Sequence, residues 1–114
     1  MKIRLKRVYD PKEKSDGLRI LVERLWPRGM TKEAAGIDIW MKEVSPSPPL
    51  RSWYAHEPEK WPEFQRRYRA ELAANGAALE ILRAHCAKGA TFLFAAKDEE
   101  RNSASVLRDY LLKR

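Results

Sequence analysis

Ala90-Thr91-Phe92-Leu93-Phe94-Ala95-Ala96 is the longest largely apolar run of the chain. Gly89 precedes it and Lys97-Asp98 follow. A short run of this kind reads as a central strand covered on both faces, the habit of parallel sheets. Helical patterns flank it. Upstream, Trp61, Phe64, Tyr68 and Leu72 fall three or four residues apart, giving one apolar stripe of a helix that begins near Pro58 and Pro62 and stops at Asn75-Gly76. A second helix, about 77–87, carries Leu79, Leu82 and Cys86. Downstream, Arg101 or Asn102 opens a last helix with Val106, Leu107, Tyr110 and Leu111 on one face.

Towards the N-terminus, residues 2–8 alternate charge with Ile3 and Leu5 and read as a strand at an edge or half exposed, with Lys2, Arg4 and Lys6 on its other face. Tyr9-Asp10-Pro11 breaks it and Ser15-Asp16-Gly17 is a turn. Leu18 to Trp26 is a second strand, ended by Pro27 and Gly29. A short helix follows at 31–35, with Thr31 as N-cap and Gly36 as its stop. Residues 37–44 fit both a period of two and a period of 3.6; their shortness and Gly36 favour a strand. Ser45-Pro46-Ser47-Pro48-Pro49 reads as an irregular connection, and residues 50–54 as one helical turn. Strands alternating with helices define an α/β fold: three layers, a small and mainly parallel sheet flanked by helices.

Composition sets the outer bounds. The 114 residues suit one domain, 1–114, with a sizeable core. With 44% apolar residues the chain is neither disordered nor fibrous. One Cys excludes an intramolecular disulfide framework and any multi-cysteine metal site, and the two His have no metal-ligand spacing, so no metal and no cofactor are expected. No apolar run approaches the roughly 20 residues of a membrane span, and the N-terminus is no signal peptide. A cytoplasmic protein without a membrane partner is the expectation. The net charge of +7 is concentrated in residues 1–30, where nine basic residues face four acidic ones. Such a field attracts phosphates, carboxylates or nucleic acid.

Ligands of open parallel sheets bind beyond the carboxyl ends of the strands. Three such ends carry Arg7, Tyr9 and Asp10; Arg24, Trp26 and Arg28; and Lys97 and Asp98, with Asn102 at the following helix start. Arginines there can grip an oxyanion bidentately, and a helix N-terminus adds amide donors. Arg7, Tyr9, Arg24, Trp26, Arg28, Lys97 and Asn102 are therefore the expected binding residues of a small anionic ligand. Asp10, Asp98 and His56 are the candidates for acid–base work. The alternative is an ion network in which Arg24 and Arg28 pair with Asp10 and Asp98. Asn102 is equally an ordinary helix N-cap, His56 a loop histidine, and Cys86 a small core residue. The four Trp read as core or pocket wall, and no role falls to His85.

Four functions compete: an enzyme acting on an anionic small molecule, a binding or sensor module, a nucleic-acid binder, and a self-associating protein. The nucleic-acid reading is not favoured. It needs Lys2, Arg4, Lys6, Lys12, Lys14 and Arg19 in one continuous patch. Self-association would use Trp53, Tyr54 and Trp61. Composition and pattern do not fix the oligomeric state.

The blocks Arg7-Val8-Tyr9-Asp10-Pro11, Leu21-Val22-Glu23-Arg24-Leu25-Trp26-Pro27-Arg28-Gly29, Ile37-Asp38-Ile39-Trp40, Leu50-Arg51-Ser52-Trp53 with His56 and Trp61, and Ala95-Ala96-Lys97-Asp98 with Asn102 resemble the YeaO-like branch of a large bacterial and archaeal family of domains of unknown function. The resemblance spans about residues 2–112. It implies a small, cytoplasmic, single-domain α/β protein and names no substrate. The wider family often carries Cys-His-Arg at the last strand–helix junction. Here Asn102-Ser103-Ala104 stands there, so the resemblance implies no thiol chemistry for this chain.

Overall fold

The structure, a computed structural model, describes residues 1–114. Its centre is a four-stranded sheet in which every neighbouring pair is parallel: β1 (Ile3–Arg7), β2 (Leu18–Leu21), β3 (Ile39–Trp40) and β4 (Ala90–Phe94), in the spatial order β1-β4-β2-β3. Ile3 pairs with Ala90 and Arg7 with Phe94 on one side of β4; Leu18 pairs with Ala90 and Leu21 with Leu93 on the other. Every residue of β4 is buried, which is why that segment could afford no charge. β1 lies at the edge, as its alternating charges require.

Side chains of β2 and β4 alternate between two cores. Ile20, Phe92 and Phe94 face the larger one. It is completed by α2 (Pro48–Tyr54), α3 (Trp61–Ala73), α4 (Gly76–Cys86) and α5 (Ser103–Leu111). Phe64, Tyr68 and Leu72 are the buried stripe of α3; Leu79, Leu82 and Cys86 that of α4; Val106, Leu107 and Leu111 that of α5. Each buried Leu, Val or Phe among them contributes about 1.5–3 kcal/mol. Leu21 and Leu93 face the smaller core, with Val8 and with Ala35 of the four-residue α1 (Lys32–Ala35). The layers are therefore unequal. On the thin side a polar cluster supplements the apolar one: Arg19 is fully buried and donates to Asp16, Ala35 O and Gly36 O.

Three details depart from expectation. β2 ends at Leu21, not Trp26, because side chains take over the ladder at Glu23. The Glu23 carboxylate accepts the Ala95 amide at 3.0 Å, and Trp40 Nε1 donates to the Glu23 carbonyl at 2.7 Å. Residues 37–44 are divided: Ile39–Trp40 pair with β2, then Lys42–Val44 form a 3-10 turn. And α2 starts at Pro48, inside the stretch expected to be irregular. The two prolines occupy its first turn, where no amide is missed, and Ser47 Oγ caps the Leu50 amide.

Candidate functional site

β2 and β4 are neighbours, yet the chain leaves them in opposite directions. After β2 it runs to α1 on the thin side; after β4 it runs to α5 on the thick side. Divergence of two adjacent strands opens a crevice at their carboxyl ends. A cavity of about 520 Å³ lies there. One wall is the loop from Glu23 to Arg28, the second is α2 with the residues after it, and the third is the turn from Ala95 into α5.

Each wall is fixed locally. On the first, Tyr9 Oη donates to the Arg28 carbonyl and Trp26 Nε1 to the Met30 carbonyl, which pins the loop back onto itself. Trp26 and Trp40 pack in a T-shaped pair, ring centres 5.6 Å apart. On the second, Glu71 of α3 accepts from both the Ser47 amide and the Ser47 hydroxyl, holding the start of α2 so that Arg51 and Ser52 reach the cavity. α2 then ends on Ala55 (φ 47°) and His56 (φ 57°), two consecutive non-glycine residues in the left-handed region. That conformation is uncommon and costs on the order of 1 kcal/mol per residue, and it turns His56 into the cleft. On the third, Asn102 Oδ1 caps the Ser105 amide and its Nδ2 donates to the Asp98 carbonyl.

The electrostatics of the cleft are lopsided. Arg24, Arg28 and Arg51 line it and take part in no ion pair and no side-chain hydrogen bond. Arg24 Nε is buried with no acceptor. Arg101 is different: Asp98 holds it at 2.9 Å. The cleft's own carboxylate is Glu23, half-buried in the same lining. Burial pushes its carboxyl above the usual range, against the opposing pull of the Ala95 amide, Arg51 and His56.

Of the residues expected from sequence to bind a ligand, Tyr9, Arg24, Trp26, Arg28 and Asn102 line this cleft, as does His56. Asn102 does so with both ends of its amide already bonded. Arg7 does not line it. Its guanidinium donates to the carbonyls of Ala95 and Ala96 and braces the end of β4. Lys97 is exposed beside the cleft rather than in it. Asp10 also lies outside, and Asp98 is occupied with Arg101 and with the amides of Glu100 and Arg101. The ion network of Arg24 and Arg28 with Asp10 and Asp98 does not form. Glu23 and Arg51 were missed. Glu23 sits in a run that reads as strand interior, and Arg51 on a helical turn far away in sequence.

The N-terminal charges do not gather into one patch. Arg19 is in the interior, and Lys6 is committed to Glu13 and Asp16. Lys2, Arg4 and Lys14 border a depression at the amino ends of the strands. Cys86 is buried in the core and its thiol is pushed up to about 11 by desolvation. No group of three His, Cys, Asp or Glu side chains comes together, and no helix is long and apolar enough to cross a membrane.

The fold and cleft define a small α/β protein with a parallel sheet and an arginine-lined crevice at a strand switch point. The chain belongs to the family described as the inactive DUF488-N3 subclade, which it matches over residues 2–114. It is similar to the uncharacterized protein YeaO of Escherichia coli K12, with 46% identity over 113 residues and 97% of each chain covered. It is also similar to the uncharacterized protein Rv3073c of Mycobacterium tuberculosis, with 38% identity over 110 residues, 96% of this chain and 93% of the relative. No solved structure matches the chain.

Proposed function

We propose that this is a cytoplasmic binding module whose cleft takes a small oxyanion, a phosphate or a carboxylate. One observation carries the reading: three arginines line one cavity without an ion-pair partner, and one of them has a buried, unsatisfied Nε–H. A buried donor without an acceptor costs about 1–3 kcal/mol, so its persistence suits an acceptor supplied from outside. Bidentate gripping by arginine is geometrically matched to such groups.

Binding without turnover is favoured over catalysis. The junction where relatives often carry Cys-His-Arg reads Asn102-Ser103-Ala104, and Asn102 spends its side chain on capping. The family description, an inactive subclade, agrees. The test is thermal shift and calorimetry at constant ionic strength with phosphate, sulfate and dicarboxylates. An Arg24→Gln/Arg51→Gln variant runs alongside. An anion at about 100 times its dissociation constant stabilises by about 2.7 kcal/mol. A shift in the wild type that the variant lacks supports the reading; no shift with any anion overturns it.

A further inference from the structure

An oxyanion alone needs arginines and little else, and this cleft has more. Its cavity of about 520 Å³ falls in the range of sites that enclose drug-sized molecules, well beyond what an inorganic ion fills. Two rings of its lining are partly exposed: Tyr9 is 40% exposed and Trp26 is 36% exposed. Neither is loose. The Tyr9 hydroxyl is tied to the Arg28 carbonyl, and the Trp26 indole N–H to the Met30 carbonyl. Trp40 packs T-shaped against Trp26, and the Arg7 guanidinium lies 5.1 Å from the centre of the Tyr9 ring. Rigid aromatic surfaces left in water are the usual platform for stacking a planar ring.

Glu23 supplies the third feature. Its Oε1 is taken by the Ala95 amide, while Oε2 has no partner on the protein. A bare oxyanion on the arginines leaves that acceptor without a donor. The acceptor suits a ligand that brings its own N–H donors together with the anion. Phosphate, planar ring and ring-edge N–H groups occur together in a nucleotide.

We infer that the ligand of this cleft is a nucleoside monophosphate, its phosphate on Arg24, Arg28 and Arg51, its base against Trp26 and Tyr9, and a base N–H on Glu23 Oε2. The inference rests on the oxyanion reading and narrows it. Other occupants with the same chemistry, such as the end of a nucleic-acid strand, are separated by the experiment.

The wild-type protein is titrated calorimetrically, at fixed ionic strength, with inorganic phosphate, ribose 5-phosphate, the four common ribonucleoside monophosphates and an unstructured single-stranded hexanucleotide. Stacking one base is worth about tenfold or more in affinity. At least one monophosphate is expected to bind tenfold or more tighter than ribose 5-phosphate, with quenching of tryptophan fluorescence. Trp26→Leu is expected to shrink that ratio to within about threefold. Tyr9→Leu is the second variant if circular dichroism shows Trp26→Leu unfolded. Equal binding of ribose 5-phosphate and every nucleotide overturns the nucleotide inference and leaves the oxyanion reading standing. Tighter binding of the hexanucleotide than of any monophosphate overturns it in favour of a strand. No binding of any phosphate removes the oxyanion reading as well.

Discussion

The carboxylate of Glu23 accepts the amide of Ala95 at 3.0 Å, a side chain standing where a ladder carbonyl would otherwise be. The bond closes the sheet between β2 and β4 and leaves a carboxyl group in the crevice at the same time.

Glu23 therefore gives a pH signature. Its folded carboxyl titrates above the ordinary value of 4.5, so between these two values the folded state holds a proton that the unfolded chain has lost. Its contribution is fully present below about pH 4.5 and is lost as pH rises through the folded value. Glu23→Gln keeps an acceptor for Ala95 and removes the titration. The midpoint of thermal unfolding of the variant is expected to gain on the wild type as pH rises from 4 to 8. A constant difference across that range would show that Glu23 titrates normally.

Arg19 and Asp16 form a buried pair at 2.5 Å on the thin side of the sheet. Arg19→Met leaves the Ala35 and Gly36 carbonyls without their donor and Asp16 with only Lys6 and the Glu13 amide, and is expected to cost about 2–4 kcal/mol in urea unfolding. Asp16 reports from the acid side. Burial alone would raise its carboxyl, but the Glu13 amide, Lys6 and Arg19 outweigh that and hold it below 3.8. Its stabilisation is present above the unfolded value and lost as pH falls through the folded one. Asp16→Asn is expected to be less stable than the wild type at pH 7, by a margin that narrows below about pH 4. A margin independent of pH would contradict this.

Backbone sign predicts two opposite substitutions. Gly17 has φ 64°, and a Cβ there would sit 2.9 Å from the Gly89 carbonyl oxygen, where β2 and β4 begin side by side. Gly17→Ala is expected to lose about 1–3 kcal/mol. Ala55, at φ 47° on the cleft wall, already has the strain that Gly17 avoids. Ala55→Gly is expected to gain up to about 1 kcal/mol, read as a higher urea midpoint at unchanged slope.

Elements were legible where one local signal dominated. The run at 90–96 had no alternative to a central strand, and the Thr31 and Asn102 caps stood next to their helices. β2 misled because its apolar run continues past Leu21. The groups that end its pairing, the Glu23 carboxylate and the Trp40 indole, act across strands whose adjacency no local pattern encodes. The site followed the same division. The strand-end arginines were visible because the parallel fold assigns strand ends to one edge. Arg51 arrives through the Ser47–Glu71 clasp between α2 and α3, a contact spanning 24 positions. Arg7, chosen by the same strand-end rule, was claimed by two carbonyls of β4's exit.

Arg24 ties stability to binding. Its buried Nε–H has no acceptor, so the ligand-free protein bears a desolvation cost that a ligand would relieve. Replacing a stranded buried donor by an apolar group of similar length removes the cost along with the donor. Arg24→Met is therefore expected to leave the ligand-free protein as stable as the wild type, or up to about 1–2 kcal/mol more so. The same variant is expected to lose the stabilisation that phosphate confers on the wild type. The two effects have opposite signs only if the arginine is kept for an external acceptor. An arginine that braces the fold would instead make Arg24→Met less stable in the absence of any anion. Paired thermal melts of both proteins, with and without phosphate at matched ionic strength, separate the two.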